Sequence, residues 1–476
     1  MPYSLVTVPN YVVFSPDLET ASKNGIKLDY MDDCLIHYSV KPTDIENHAF
    51  NSYHHVPLLL NPDGSQWIHA NSFFRKYLEN GKNTKTVTSY AKTLRQYANY
   101  CQENGIDMLV SQSKLRSPLV IYKRHLFDRA SSRELKLTTV KELLTRLVVF
   151  YRFLVEDYGI QFKVMPWGSD KKGIALITKG DWSTIKEYTT SEVQTVRGAV
   201  RKTSEEKTFE GCVNDGGEQL RPLDERELKI VFNALREINN PEMTLVHSII
   251  LATGARTQTI LTLRQCHFEY DPSDNELEVE IVAGNHSLID SKFANRFVIR
   301  MPVILYRKIQ LYIQCERAQH RYENASHQFY IPKEQYVFIS KNGNPFFMSM
   351  TDPNLTKYKT PPNGAALTQF TSAVLKPKLK ELGFDNPAKR YKFHNLRATF
   401  GLAKLNAELS AMPSDLPENQ RGQFIDKAIT KTMRYMNHKS RETTLHYLKL
   451  QENTKIVKTV QSEWERHLSN SIGCSL

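Results

Sequence analysis

The sequence has few cysteines, and none of them falls in a motif. Cys34, Cys101, Cys212, Cys266, Cys315 and Cys474 are scattered, with no C-x-x-C pair and no Cys/His cluster at zinc-ligand spacing. This argues against a disulfide-stapled scaffold or a zinc ribbon, and for a reducing, intracellular setting. No window approaches the roughly 18 uninterrupted apolar residues of a membrane span. Met1-Pro2-Tyr3-Ser4-Leu5 lacks a basic stretch followed by an apolar run, so no secretory signal is expected either. The expectation is a soluble cytoplasmic protein with no membrane partner, nucleoid-associated if bacterial. Internal repeats and low-complexity tracts are also lacking, so solenoid and fibrous architectures are not expected.

Positive charge is in surplus. The 63 Lys and Arg against 51 Asp and Glu leave a net +12, which favours a polyanionic partner without naming one. At 476 residues, with 40% hydrophobic content, the chain can fold into two or three domains. Residues 1–65 mix short extended runs, Leu5 to Val8 and Tyr11 to Phe14, with Pro, Asn and Asp breaks. They read as an arm of unknown role, a structural extension packed on the next domain.

From Trp67 the period becomes helical. Trp67, Ala70, Phe73, Phe74, Tyr77 and Leu78 recur at three- and four-residue steps, as do Tyr90, Leu94, Tyr97, Ala98 and Cys101, then Val140 to Leu154. These predict a small helical domain over 66–163, with Lys114, Arg116, Lys123, Arg124, Arg129 and Arg133 in loops and helix ends, within reach of phosphates or forming a solvated basic face. Residues 164–220 lose the period and read as a connector with one helix around 190–201. A second domain, 221–450, opens with Asp224 as N-cap and Glu227 at the third helical position. It continues through helices at Thr244 to Leu251 and Thr259 to Arg264, strands at Leu277 to Val282 and Phe297 to Pro302, an extended run Tyr336 to Ser340, and helix from Leu367 to Leu382 onward. In 451–476, Ile456, Val457, Val460, Trp464 and Leu468 form an apolar stripe at helical spacing. The fold class expected is mainly α with a small antiparallel β-sheet.

One ordered set of polar residues in the second domain suggests chemistry. Tyr447 is a poor nucleophile at neutral pH, since phenol titrates near ~10 unless cations stabilise its oxyanion or a base takes its proton. His394 and Arg397 are three apart, on one face of a helix. Arg256 follows Gly254 at a helix start, where free N–H groups and a guanidinium fork together grip a phosphate. Two arginines can bracket the transition state of a phosphoryl transfer. Lys292, between the two strands, is nominated as the general acid for a leaving oxygen, with His286 as its rival. Taken singly, each is ordinary: an H-x-x-R is usually a helix surface and an apolar-flanked tyrosine is usually core. The ordered set Arg256, Lys292, His394, Arg397, His438, Tyr447 is not ordinary.

Ala252-Thr253-Gly254-Ala255-Arg256, Leu263-Arg264, Val337-Phe338-Ile339-Ser340 with Gly343, His394-Asn395-Leu396-Arg397-Ala398-Thr399, Asn437-His438-Lys439-Ser440 and Thr443-Thr444-Leu445-His446-Tyr447 resemble the signature of the tyrosine recombinase (phage integrase) family over about residues 220–450. Residues 66–163 resemble, more loosely, that family's core-binding domain. The resemblance implies a helical core-binding domain plus a mixed α/β catalytic domain closing as a clamp round duplex DNA. It implies that Tyr447 attacks a DNA phosphate to leave a 3′-phosphotyrosyl link. Arg256 and Arg397 would clamp the phosphate, Lys292 would protonate the leaving oxygen, His394 would assist proton transfer, and His438 would hydrogen-bond the phosphate. It implies neither ATP nor a metal, and no other cofactor. It further implies a homo-tetramer assembled on DNA, with accessory DNA-bending proteins as further partners; the terminal helix docks either on a neighbouring protomer or on its own domain. The sequence departs from the pattern at Thr259, where the family usually carries Glu or Asp three residues after the first arginine, and in a longer Arg397-to-His438 interval containing Pro413 to Asn419. A type IB topoisomerase-like enzyme, a telomere resolvase and a non-catalytic DNA-binding regulator remain the alternatives.

Overall fold

The computed structural model describes residues 1–14, 27–31, 35–39, 49–111, 113–167, 169–175, 185–191, 212–215, 218–284, 286–291, 295–325, 329, 331–384, 391–413, 417–438 and 440–451. The expected connector helix around 190–201, the terminal apolar stripe and Lys292 lie largely or wholly outside these residues. The chain forms two units, Met1–Lys202 with Thr356–Lys359, and Thr203–Leu355 with Thr360–Leu476. Both are helix-rich, and every sheet among the described residues is two-stranded and antiparallel. The fold is therefore mainly α with small antiparallel sheets.

In the first unit, β1 (Ser4–Phe14) pairs with β4 (Ala49–Leu60), Val8 opposite Val56 and Asn10 opposite His54. The sequence suggested a break at Pro9, yet the strand runs through it. Each strand of a two-stranded ribbon has a free edge, so a residue without an N–H can be accommodated there. Val56 and Leu59 of β4 are buried with the helical core of α1 (Ile68–Glu79), α2 (Thr84–Glu103), α3 (Pro118–Ser131) and α4 (Leu137–Glu156). Asn83 caps α2 through the Thr86 N–H, and Ser117 caps α3 ahead of Pro118. The buried hydroxyls of Tyr97 and Tyr151 lie 2.6 Å apart, and Tyr151 donates onward to the Met108 carbonyl at 2.8 Å. Two further ribbons, β2 (Lys27–Met31) with β3 (Leu35–Ser39) and β5 (Ser169–Ala175) with β6 (Ile185–Ser191), complete the described elements.

The second unit begins with a short hairpin, β7 (Val213–Asp215) and β8 (Glu218–Leu220). Helix α5 (Glu225–Ile238) follows, and its N-terminus carries the reciprocal Asp224–Glu227 capping box that the sequence signals. Helix α6 (Pro241–Thr253) ends at Gly254 with φ 64°, and α7 (Thr257–Leu261) starts directly after Arg256. The helix expected through Arg264 stops early. Arg264 is instead 1% exposed, its guanidinium 3.5 Å from the Tyr336 ring centre and donating to the Glu334 carbonyl at 2.9 Å. These tertiary contacts hold it in an isolated bridge to Tyr336, so the Tyr336 to Ser340 run forms bridges and not a strand.

Strands β9 (Glu278–Ala283) and β10 (Phe297–Pro302) alternate buried and exposed side chains as expected and pair Ile281 with Ile299. Then come α8 (Val303–Gln314), α9 (Glu316–Glu323), α10 (Ala365–Phe370) and α11 (Lys376–Glu381). A π-turn over Thr371–Leu375 joins α10 to α11. Pro377 explains it, since a proline ring clashes with the carbonyl four residues back and widening the turn relieves that clash. Helices α12 (Asn395–Ser410), α13 (Glu418–Met436) and α14, described over 441–451, are the last of the described elements. Among the described residues no helix is long and apolar enough to cross a membrane.

Candidate active site

The second unit brings Arg256, Arg397, His438 and Tyr447 together from four places in the chain. Arg256 is the residue preceding the first turn of α7, with extended backbone and a side chain 23% exposed. Arg397 sits in the first turn of α12 and is 3% exposed. Its terminal nitrogens donate to the carbonyls of Gly254 and, at 2.7 Å, of Met436. These are helix C-terminal carbonyls of α6 and α13, which lack intrahelical donors and carry the negative end of the helix dipole. A guanidinium is the natural staple for them. Gly254 is required here twice over: its φ is left-handed, and a side chain would run into the Phe400 ring.

The centre of the cluster is a residue not selected from the sequence. Asp215, at the end of β7, is 2% exposed at its side chain. Its Oδ2 accepts from Arg397 Nε at 2.6 Å, and its Oδ1 lies 3.7 Å from Arg256. His438 Nε2 is 3.4 Å from Oδ2, at ion-pair distance without hydrogen-bond geometry. Burial would raise the Asp215 pKa, but His438 and Arg397 outweigh it and hold the carboxyl well below the usual carboxylate range. Burial and then the Arg397 charge depress Arg256 to about 10, with Asp215 and Tyr447 opposing.

Tyr447 is fully buried, and its hydroxyl has no hydrogen-bond partner among the described residues. Burial, then Asp215, raise its pKa, while Arg397 and Arg256 pull it down. The ring stacks on the His438 imidazole, centroids 5.9 Å apart. His438 Nδ1 lies 2.9 Å from Thr444 Oγ1, so a proton on Nε2 toward Asp215 leaves Nδ1 to accept from that hydroxyl. Burial lowers the His438 pKa, Arg397 and Arg256 adding to this and Asp215 opposing it. Gly401 makes room on α12: a Cβ there would stand 2.8 Å from Tyr447 Cε1 and 2.9 Å from Met436 Cε.

His394 is placed beside this cluster and outside it. It is the N-cap of α12, with Nδ1 donating to Glu218 at 3.0 Å and Nε2 accepting from Thr257 Oγ1 at 2.8 Å. The hydrogen bond to His394 lowers the Glu218 pKa. The expectation that His394 and Arg397 share a helix face is thus met only in part, since one caps the helix and the other is inside its first turn. His394 borders a cavity of about 340 Å³ that Thr257, Thr371, Lys376 and Lys392 also line.

Lys292 lies outside the described residues. The chain leading to it is anchored: Asp290 accepts from Gln258 at 2.8 Å and from Ser349 at 2.5 Å, and its N–H donates to Thr262 at 2.9 Å. His286, its rival, is exposed, with φ 66°, on the side of the β9–β10 hairpin lined by His267 and Arg296. The sequence held one hint of Asp215: the Asp215-Gly216-Gly217 turn signal between Val213 and Leu220. What the aspartate faces is set by packing alone.

No family model matches the chain. A CinA-like protein of Fusobacterium nucleatum subsp. nucleatum is 25% identical over 178 residues, covering 37% of this chain and 42% of the relative, so the chain spans less than half that relative's length. Among solved structures, the chain is similar to the XerH site-specific recombinase bound to palindromic difH substrate, post-cleavage, at a TM-score of 0.46 and 12% identity over 80% of this chain and 81% of that one. It is similar to the Tn1549 transposon integrase in complex with circular intermediate DNA at 0.43 and 14%, over 80% and 94%. It is similar to a lambda integrase dimer bound to a COC′ core site at 0.44 and 12%, over 80% and 94%.

Proposed function

We propose that this chain is a tyrosine site-specific recombinase or integrase that cuts and rejoins duplex DNA through a 3′-phosphotyrosyl intermediate. The observation that supports it most is the convergence of Arg256, Arg397 and His438 on one anion, Asp215, with the Tyr447 ring against His438. Residues that gather round a carboxylate can also gather round a phosphate. The Tyr447 hydroxyl oxygen attacks phosphorus, an O–P bond forms, and the bond to the 5′ oxygen breaks. Arg256 and Arg397 neutralise the charge growing on the non-bridging oxygens, and His438 hydrogen-bonds one of them. In the sequence-based assignment the Tyr447 proton passes to His394, and Lys292 protonates the leaving 5′ oxygen. Attack by a second 5′ hydroxyl reverses the steps and rejoins the strand, so bond energy is conserved in the covalent link.

Because Tyr447 is fully buried, the described state is a closed one. Strand cleavage requires movement of α14 to uncover the phenol. The cavity beside His394 carries Lys376 and Lys392 on its walls together with Glu218, Thr257 and Thr371, and the two lysines suit phosphate contacts. Double-stranded DNA is the proposed partner, with a homo-tetramer assembled on it and accessory bending proteins as the finer part of the reading.

The test is covalent capture. A randomised duplex library is incubated with the full chain, and SDS-resistant adducts are isolated and sequenced. Adducts that depend on Tyr447, and exchange between two copies of the captured duplex, support the recombinase. Relaxation of a supercoiled plasmid without exchange supports a topoisomerase-like activity instead. DNA retention with no adduct under any condition overturns the reading in favour of a non-catalytic regulator.

A further inference from the structure

We infer that Asp215 is a positioning residue of this reaction: from β7 it aims Arg397 and orients the His438 imidazole, and it does not itself meet the DNA. The inference rests on the proposed function and deepens it. A guanidinium has five N–H groups in a fixed fork. Asp215 takes the one on Nε, and the carbonyls of Gly254 and Met436 take one on each terminal nitrogen. One N–H on each terminal nitrogen is left over, so the three acceptors fix which way the remaining pair points. Only one of the three is charged, and it lies 2.6 Å away.

The same carboxylate lets two arginines share a buried site. Arg256 and Arg397 repel each other where water is scarce, and Asp215 is the anion between them. His438 is faced by Asp215 from β7, Arg397 from α12, Arg256 ahead of α7, and Thr444 and Tyr447 from α14. Among the described residues Asp215 is the anionic group in that shell, and its charge at 3.4 Å favours a proton on Nε2. The sequence places a hydroxyl, Thr259, where the resembled family has an acid three residues after its first arginine. Thr259 is 2% exposed, and the carboxylate comes from a strand ahead of the domain's first helix instead.

A competing explanation makes Asp215 a stand-in that DNA phosphate displaces. The hairpin's anchoring argues against it. Val213 and Leu220, at 1% and 2% exposure, pack in one apolar cluster with Ala398, Phe400, Met436 and Tyr447. Withdrawing Asp215 would pull both from the core that seats the tyrosine.

The experiment compares wild type, Asp215→Asn and Asp215→Glu as full chains. Asn is isosteric and still accepts from Arg397 Nε, so folding is retained, as a thermal melt will verify. In histidine-labelled protein, the His438 resonance, identified by its loss in His438→Gln, titrates by NMR. Asp215→Asn is expected to lower its pKa by about one pH unit or more, because a nearby opposite charge is removed. Asp215→Glu keeps the charge and leaves the titration near wild type. With the captured duplex as probe, adduct formation falls at least about tenfold in Asp215→Asn, while duplex retention stays within about twofold. Unchanged titration and adduct rate in Asp215→Asn would overturn the inference. So would faster adduct formation or tighter DNA binding, which would make Asp215 a competitor of phosphate. If wild type forms no adduct, the recombinase reading fails by itself, and the His438 titration still decides whether Asp215 governs that imidazole.

Discussion

At the scale of single residues, the buried hydroxyl of Tyr447 makes a prediction whose two halves have opposite signs. A buried hydroxyl without a partner costs about 1–3 kcal/mol. Tyr447→Phe therefore leaves thermal stability equal or higher while abolishing SDS-resistant adducts. A large drop in melting temperature would show that the hydroxyl is bonded. His247 supplies a pH prediction away from the site. It is fully buried, with Nδ1 2.7 Å from the Met243 carbonyl, and burial pushes its pKa down to about 4. A histidine whose folded pKa is depressed stabilises the fold fully above its unfolded value, near ~6.5, and loses that contribution as pH falls toward the folded pKa. Between about pH 6.5 and 4 the loss amounts to roughly 3 kcal/mol. Denaturant melts at a series of pH values would show it as a slope that His247→Phe flattens, the new ring packing against Phe393.

At the scale of elements, the site depends on how closely helices approach. The Gly401 position on α12 is where α14 lays the Tyr447 ring, and Met436 at the end of α13 fills the same gap. Gly401→Ala places a methyl within 2.8 Å of that ring. Overpacking of this kind costs about 1–3 kcal/mol. The expected outcome is a lowered melting temperature together with loss of adduct formation; a variant that melts and reacts like wild type would show that α14 has slack. At the other end of the unit, the Asp224 cap on α5 is a local device. Asp224→Ala is expected to cost about 1 kcal/mol in urea denaturation. The effect on chemistry is expected to be small, since the links to α12 come from residues ahead of the helix: Arg221 bonds both Glu227 oxygens at 2.7 and 2.8 Å and donates its backbone N–H to Asn395, and the Leu223 N–H donates to Thr399 at 2.8 Å.

At the scale of the whole molecule, the net charge of +12 makes an expectation about DNA that needs no site residue. Each phosphate neutralised by Lys or Arg releases counterions, so affinity falls steeply with salt. Retention of the captured duplex, measured at increasing salt, should weaken on a log–log plot with a slope of about −0.9 for each phosphate contacted. Lys376→Ala with Lys392→Ala should reduce that slope by about 2. An unchanged slope would place the phosphates elsewhere.

What could be read from the sequence followed local rules. The helical period gave three of the four core helices of the first unit and missed α3 (Pro118–Ser131), whose Lys123, Arg124 and Arg129 were expected in loops and helix ends; the Asp224–Glu227 box gave the start of α5, and alternation gave β9 and β10. Each is determined within a few turns of chain, where side-chain period and capping leave little choice. The ordered set Arg256, Lys292, His394, Arg397, His438, Tyr447 was nominated from the residue types that the proposed chemistry would need. Its geometry was not legible in the sequence. That Tyr447 lies buried under Gly401 and Met436, that His394 caps its helix beside the cluster, and that Asp215 is the anion at the centre are outcomes of packing between segments up to 182 residues apart. A carboxylate and a guanidinium that far apart in sequence meet only because two buried apolar residues, Val213 and Leu220, fix a short hairpin against α12. The candidate residues could be nominated from local sequence, and the electrostatic balance among them was decided by the tertiary fold.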